Sequence, residues 1–213
     1  MSVAWIKVNR EKHTHSVYCD GQVTSGDYIV SNDYCKFNHI KVNSYDILIG
    51  TSGENLICEY TRNHIEDILN DQVSKEINGC SIQDILDTLS DPTKVSLAME
   101  KMANLFYRLY EGRVDVRTHE NGYPFIIFSI NGYLFHGQAY AYDANDEDQT
   151  KNDYLFQLEY IKQDFAVTGS GADVIRHILS YDLNADAQKI LDITSGYCTG
   201  VNNILTKLED IKF

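Results

Sequence analysis

Twice in this chain a short apolar strand runs through glycines straight into a helical repeat, and that pattern constrains the fold more than any other. The first instance is Tyr45–Thr51, an apolar run closed by Gly50 and Gly53. Such a run suits a strand buried on both faces. From Glu54 the period changes: Leu56, Ile57, Tyr60, His64, Ile65, Ile68 and Leu69 fall on one face of a helix, with Ser52 as its expected N-cap. The second instance is Phe165–Thr168, which passes through Gly169-Ser170-Gly171 into a helix with Val174, Ile175, Ile178 and Leu179 inward. Strands that pass directly into helices in this way indicate a mixed α+β chain.

The rest of the pattern fills in around these two units. Residues 3–8 read as a strand, 11–14 as a polar turn and 15–20 as the partner strand of a hairpin. Residues 28–37 and 39–42 read as an extended pair turning near Asn38. Pro124–Ile130 and Tyr133–Tyr142 are strands joined by Asn131-Gly132, a strong hairpin signal. Tyr154–Tyr160 is another strand. Further helices are expected over 81–89, over 92–110 with Pro92 in the first turn, and over 185–194. The tail from 197 reads as a strand followed by a short final element over Leu205–Ile211. Residues 143–153 are polar and acidic and read as an exposed loop, without EF-hand spacing. The order is strands, helices, strands, helices, tail, which is neither a βαβ alternation nor a repeat array. It predicts an α+β fold, and two antiparallel sheets between helical layers satisfy it. At 213 residues the chain suits a single domain over 1–213.

Charge and cysteine content exclude several functions. A net charge of −13 is wrong for phosphate neutralisation and for an anionic membrane surface, so neither nucleic acid nor membrane is an expected partner. No apolar run approaches the ~20 residues of a membrane span. The start lacks a charged leader followed by an apolar run, which makes the cytoplasm the default location. Cys19, Cys35, Cys58, Cys80 and Cys198 contain no CxxC pair, so free thiols are expected rather than structural zinc. His13 and His15 share a strand face if the strand extends that far, but a solvated turn is the plainer reading. No phosphate-binding or dinucleotide fingerprint is present, so ATP is not an expected ligand.

Several short motifs carry a family resemblance over most of the chain. Asp20-Gly21-Gln22-x-Thr24-x-Gly26 resembles a signature of the proteasome β-subunit family, closest to its bacterial HslV branch. The spacing from Asp20 to Lys36, the Gly169-Ser170-Gly171 turn, and the passage from Leu191-Asp192-Ile193 through Cys198 to Asn202 are similar in the same order. The resemblance implies a four-layer αββα sandwich of the N-terminal-nucleophile hydrolases. It implies Ser2 as nucleophile, its own α-amine as base, Lys36 beside it, Asp20 holding Lys36, the Gly50 N–H as oxyanion donor and Ser170 orienting the amine. It further implies a ring-shaped homo-oligomer, a polypeptide substrate, a separate AAA+ unfoldase, and no required cofactor. A monovalent or magnesium ion on the backbone carbonyls of Ser195, Cys198 and Val201 is the one ion it suggests.

Two departures define the alternative. The family nucleophile is Thr where this chain has Ser2, and the sequence begins at Met1. With Met1 retained, the Ser2 nitrogen is an amide and no base, and the chain is then an inactive scaffold or binding protein of the same fold. The hairpin before Asp20 is also about two residues longer than the family's. Ser2 therefore reaches the nucleophile position only if the extra length lies in the turn near 11–15. Structural readings compete at each position: Lys36 and Asp20 as an ion pair, Gly50 and Gly53 as turn residues, Ser170 as a helix cap. A hydrolase of small amides is a third reading.

Overall fold

The computed structural model describes residues 2–25, 28–42, 45–53, 55–70, 91–94, 125–141 and 154–213. Strands β1 (Val3–Asn9) and β2 (Thr14–Asp20) form the expected hairpin. Their register is unbroken from Ala4↔Cys19 to Asn9↔Thr14, and the turn between them includes His13 at φ 50°. Short strands β3 (Val23–Ser25) and β4 (Tyr28–Ser31) pair with each other. β5 (Phe37–Val42) and β6 (Tyr45–Ser52) follow, then helix α1 (Asn55–Asn70). β7 (Phe125–Ile130) and β8 (Tyr133–Ala141) meet at Asn131-Gly132, both with positive φ. β9 (Tyr154–Ile161), β10 (Phe165–Gly169), α2 (Ala172–Tyr181), α3 (Ala187–Tyr197) and β11 (Leu205–Lys212) complete the described elements.

Beside the small β3–β4 pair, two larger antiparallel sheets result among the described residues. One has the order β10-β1-β2-β11 and the other β5-β6-β7-β8-β9. Strict alternation along β1 explains how they stack. Val3 and Trp5 join Tyr18 and Val167 under α2 and α3, with Ile175, Leu179, Ile190 and Leu191 coming from the helices. Ala4, Ile6 and Val8 face the other way, onto Leu48, Ile127 and Leu134 of the second sheet. Burying each such side chain contributes roughly 1.5–3 kcal/mol, so a strand loaded on both faces holds two layers at once. On the far side of the second sheet, α1 turns Cys58, Thr61, Arg62 and Ile65 inward, a helical spacing. The layers are therefore helix, sheet, sheet, helix: the αββα sandwich.

Five expectations fail locally. Asn38 is no turn; it lies inside β5, and its side-chain amide donates to the Arg62 carbonyl at 2.8 Å. The extended pair predicted over 28–42 is divided instead, with β4 on β3 and β5 on β6. Ser52 ends β6 and its hydroxyl pairs with Thr168 Oγ1 at 2.8 Å across the sheets, which takes it away from capping α1. The tail reverses the expected order: 198–204 is irregular and Leu205–Lys212 is the strand, because it completes the open edge of β2. His13 is exposed in the turn while His15 is wholly buried in β2, so the two share no strand face. Pro92–Lys94 is a short 3₁₀ turn. The helices predicted over 81–89 and the remainder of 92–110, and the acidic loop at 143–153, lie outside the described residues.

Candidate active site

Asp20 closes β2 and is completely buried. A carboxylate in that position is costly unless its oxygens are used. Oδ1 accepts from the Val3 backbone N–H at 2.8 Å and from Lys36 Nζ at 2.6 Å. One oxygen thus ties the lysine to the backbone one residue after Ser2. Oδ2 has no hydrogen-bond partner among the described residues.

Lys36 does not stand on a strand. It lies in the irregular stretch just before β5, with its side chain 5% exposed. Burial lowers its pKa from the usual lysine range, and the nearby Asp20 opposes that shift. Its backbone is held from β6, where Thr51 N donates to the Lys36 carbonyl at 2.9 Å. Cys19 adjoins the pair, and burial pushes its thiol up to about 12, so it is inert as a nucleophile.

Ser2 is half-buried at the mouth of β1. Its carbonyl accepts from Ser170 N at 2.8 Å. Gly169 makes that approach possible: its φ is +100°, and a Cβ there would lie 1.9 Å from the Ser2 oxygen. Ser170 therefore meets residue 2 through its backbone, and the residue itself is exposed. It does not cap α2 either, since Gly171 is the N-cap. Gly50 is buried in β6 between Phe37 and Ile127. A Cβ there would stand 3.1 Å from Ile127 Cγ1 and 3.4 Å from the Ala4 Cβ, so Gly50 faces β1 two residues from Ser2. Asp20, Lys36, Gly50 and Gly169-Ser170 thus gather around the start of β1.

The passage after α3 closes on the same place. Cys198 Sγ donates to the Ser170 carbonyl at 3.7 Å. The Cys198 carbonyl accepts from Val201 N at 3.3 Å, which leaves it one lone pair, and Ser195 sits in the last turn of α3. Hard oxygen donors of this kind suit magnesium or a monovalent ion. No cluster of His, Cys, Asp and Glu among the described residues could hold a metal.

Next to Lys36, the buried Arg62 of α1 donates to the hydroxyls of Thr51 and Tyr34, a group that no sequence motif singles out. The signal lies in the helical period: Arg62 is a charged residue within one helical turn of the apolar positions Cys58 and Ile65 of α1.

No protein-family model and no curated protein matches the sequence. Solved structures do match. Eukaryotic HslV from Trypanosoma brucei superposes with a TM-score of 0.56 at 12% identity, over 97% of this chain and 98% of that one. Anbu (ancestral beta-subunit) from Yersinia bercovieri gives 0.57 at 13%, over 97% and 80%. Thiobacillus denitrificans BPH in complex with epoxomicin gives 0.55 at 9%, over 97% of both chains. At such low identity the likeness establishes a shared fold alone: this chain has the αββα sandwich of these three structures. No helix among the described residues is long and apolar enough to cross a membrane.

Proposed function

We propose that this chain is a proteasome-like peptidase subunit that hydrolyses peptide bonds with Ser2 as an N-terminal nucleophile. The observation that carries the reading is the shared Asp20 oxygen, which fixes a buried lysine beside the backbone at residue 3. In this chemistry Ser2 Oγ attacks the acyl carbon while the free α-amine takes the hydroxyl proton and returns it to the leaving amine. Water then cleaves the resulting ester. The amine has an ordinary pKa near ~8, and a neighbouring ammonium favours its neutral, basic form. Lys36 would supply that ammonium, Asp20 would orient it, and Ser170 would help set the position of residue 2; the Gly50 N–H, expected as the oxyanion donor, lies instead within the sheet between β5 and β7.

The same reading includes assembly into a closed ring, delivery of unfolded polypeptide by a separate AAA+ unfoldase, and a cytoplasmic setting. The faces of α1 and of the segment 92–110 are the proposed subunit contacts. A monovalent or magnesium ion on the carbonyls of Ser195, Cys198 and Val201 would brace the Ser170 turn. A second reading, an inactive scaffold or binding protein with Met1 retained, draws on the exposed Ser170, which meets residue 2 through its backbone N–H.

Intact mass combined with a fluorogenic-peptide assay separates the two. Loss of one Met residue, with cleavage abolished by Ser2→Ala and by Lys36→Ala, supports the hydrolase. Retained Met1 in the native assembly, or cleavage indifferent to Ser2→Ala, removes it.

A further inference from the structure

Arg62 occupies a position where an arginine needs a reason. It is 5% exposed on the inner face of α1, and a buried guanidinium is costly unless its donors are used. Nη1 donates to Thr51 Oγ1 at 2.7 Å and Nη2 donates to the Tyr34 hydroxyl. The guanidinium also lies over the Tyr34 ring, 5.0 Å from its centroid. The Arg62 carbonyl accepts from Asn38, binding the helix to β5 just beyond Lys36.

All of these contacts converge on one short stretch of chain. Lys36 sits between strands and so lacks ladder bonds of its own strand. Two residues earlier, Tyr34 N donates to the Gly21 carbonyl at 2.9 Å, beside Asp20. On the other side, the Lys36 carbonyl accepts from Thr51 N at 2.9 Å and from Thr51 Oγ1 at 3.5 Å. The direction of these bonds follows from proton count. A guanidinium can only donate, so the Thr51 hydroxyl accepts from Arg62 and its single proton is left for the Lys36 carbonyl.

We propose that Arg62 is a positioning residue that sets where the Lys36 ammonium stands relative to Asp20 and residue 2, gripping the segment through Tyr34 on one side and Thr51 on the other. Its effect on rate rests on the hydrolase reading above; its effect on the place of Lys36 does not. A lysine would keep the charge but lacks the planar fork that reaches both partners. Misplacing a catalytic group by about 1 Å costs on the order of a hundredfold in rate.

The test uses the full chain carrying ¹³C-lysine, with the Lys36 Cε signal identified by its loss in Lys36→Arg. Arg62→Lys and Thr51→Val are each expected to move that signal, and Thr51→Ser, which keeps the hydroxyl, to leave it in place. In peptide cleavage the first two should lower kcat about tenfold to a hundredfold with KM unchanged. A Lys36 signal unmoved in Arg62→Lys and Thr51→Val overturns the proposal. So does an equal shift in Thr51→Ser and Thr51→Val. Where Arg62→Lys fails to fold, the Thr51 pair decides. If the wild-type chain with a free Ser2 cleaves no peptide, the hydrolase reading falls, and the Lys36 signal still decides the role of Arg62.

Discussion

Near each end of strand β2 lies a buried titratable side chain, His15 and Asp20, and the fold treats the two in opposite ways. At one end, Asp20 is matched with an ammonium and a backbone N–H on a single oxygen. At the other, His15 has no ionic partner among the described residues. Its Nδ1 meets Ser129 Oγ at 2.7 Å, Nε2 has no partner among the described residues, and the Phe213 ring packs edge-on at 5.4 Å. Phe213 is itself held by its N–H on the His13 carbonyl at 3.1 Å. Burial holds His15 far below the usual histidine range, at about 4, against the opposing pull of Asp46, with His39 reinforcing the burial. Burial alone therefore does not mark a functional end. The Asp20 end keeps opposite charges in contact and joins three chain segments at the start of β1, whereas the His15 end stays neutral and serves packing.

Removing one charge breaks the contrast most severely. Lys36→Met leaves Asp20 buried without its cation and should cost about 3–5 kcal/mol in urea denaturation. Replacing both, with Asp20→Asn and Lys36→Met, should cost less than Lys36→Met alone, since no uncompensated charge remains and the amide oxygen still accepts from the Val3 N–H. If the single and double variants cost the same, the pair is not acting as one electrostatic unit.

The His15 end is tested by acid. The folded pKa lies near 4 against an ordinary 6.5, so the unfolded chain binds more protons between those values. The contribution is therefore present above pH 6.5 and is lost as pH falls from there toward 4, a total of about 3 kcal/mol. Stability curves collected across that window should flatten in His15→Phe. An unchanged slope in that variant would assign the acid sensitivity elsewhere.

Gly169→Ala sharpens the comparison within the Asp20 end. The positive φ and the close Ser2 oxygen predict a loss of about 1–3 kcal/mol in a thermal melt. Under the proposed hydrolase reading, the Cβ pushes directly on residue 2, and peptide cleavage should fall by more than the change in folded fraction explains. The smallest effect is expected at the exposed Arg10–Asp164 pair, 2.6 Å apart beside the hairpin turn. Arg10→Ala should cost at most about 1 kcal/mol, less at high salt. A larger loss would mean that the hairpin turn supports the core.

Much of the fold was legible locally. The β1–β2 hairpin, the Asn131-Gly132 turn and both strand-to-helix passages follow from period and turn chemistry, which act between near neighbours. The Asp20–Lys36 pairing was legible through its spacing within a resembled signature. Asn38, Ser52 and Arg62 were not. Asn38 resembles a turn residue until the Arg62 carbonyl supplies its amide with a partner. Ser52 resembles a cap until Thr168 arrives from the other sheet. Arg62 resembles a surface residue until Thr51 and Tyr34 surround it. In each case a polar side chain meets a partner that local sequence cannot identify.

The sequence by itself determined the alternation of strands and helices, the double-sided burial of β6, and the residue types available for chemistry, because these depend on side-chain period and local backbone preference. Only the tertiary structure decided that one Asp20 oxygen would serve both Lys36 and Val3, that Gly169 would admit the Ser2 carbonyl, and that Arg62 would bracket the lysine. Those outcomes depend on where segments distant in the chain come to rest, and buried hydrogen-bonding groups accept partners only at the short distances that packing of the layers imposes.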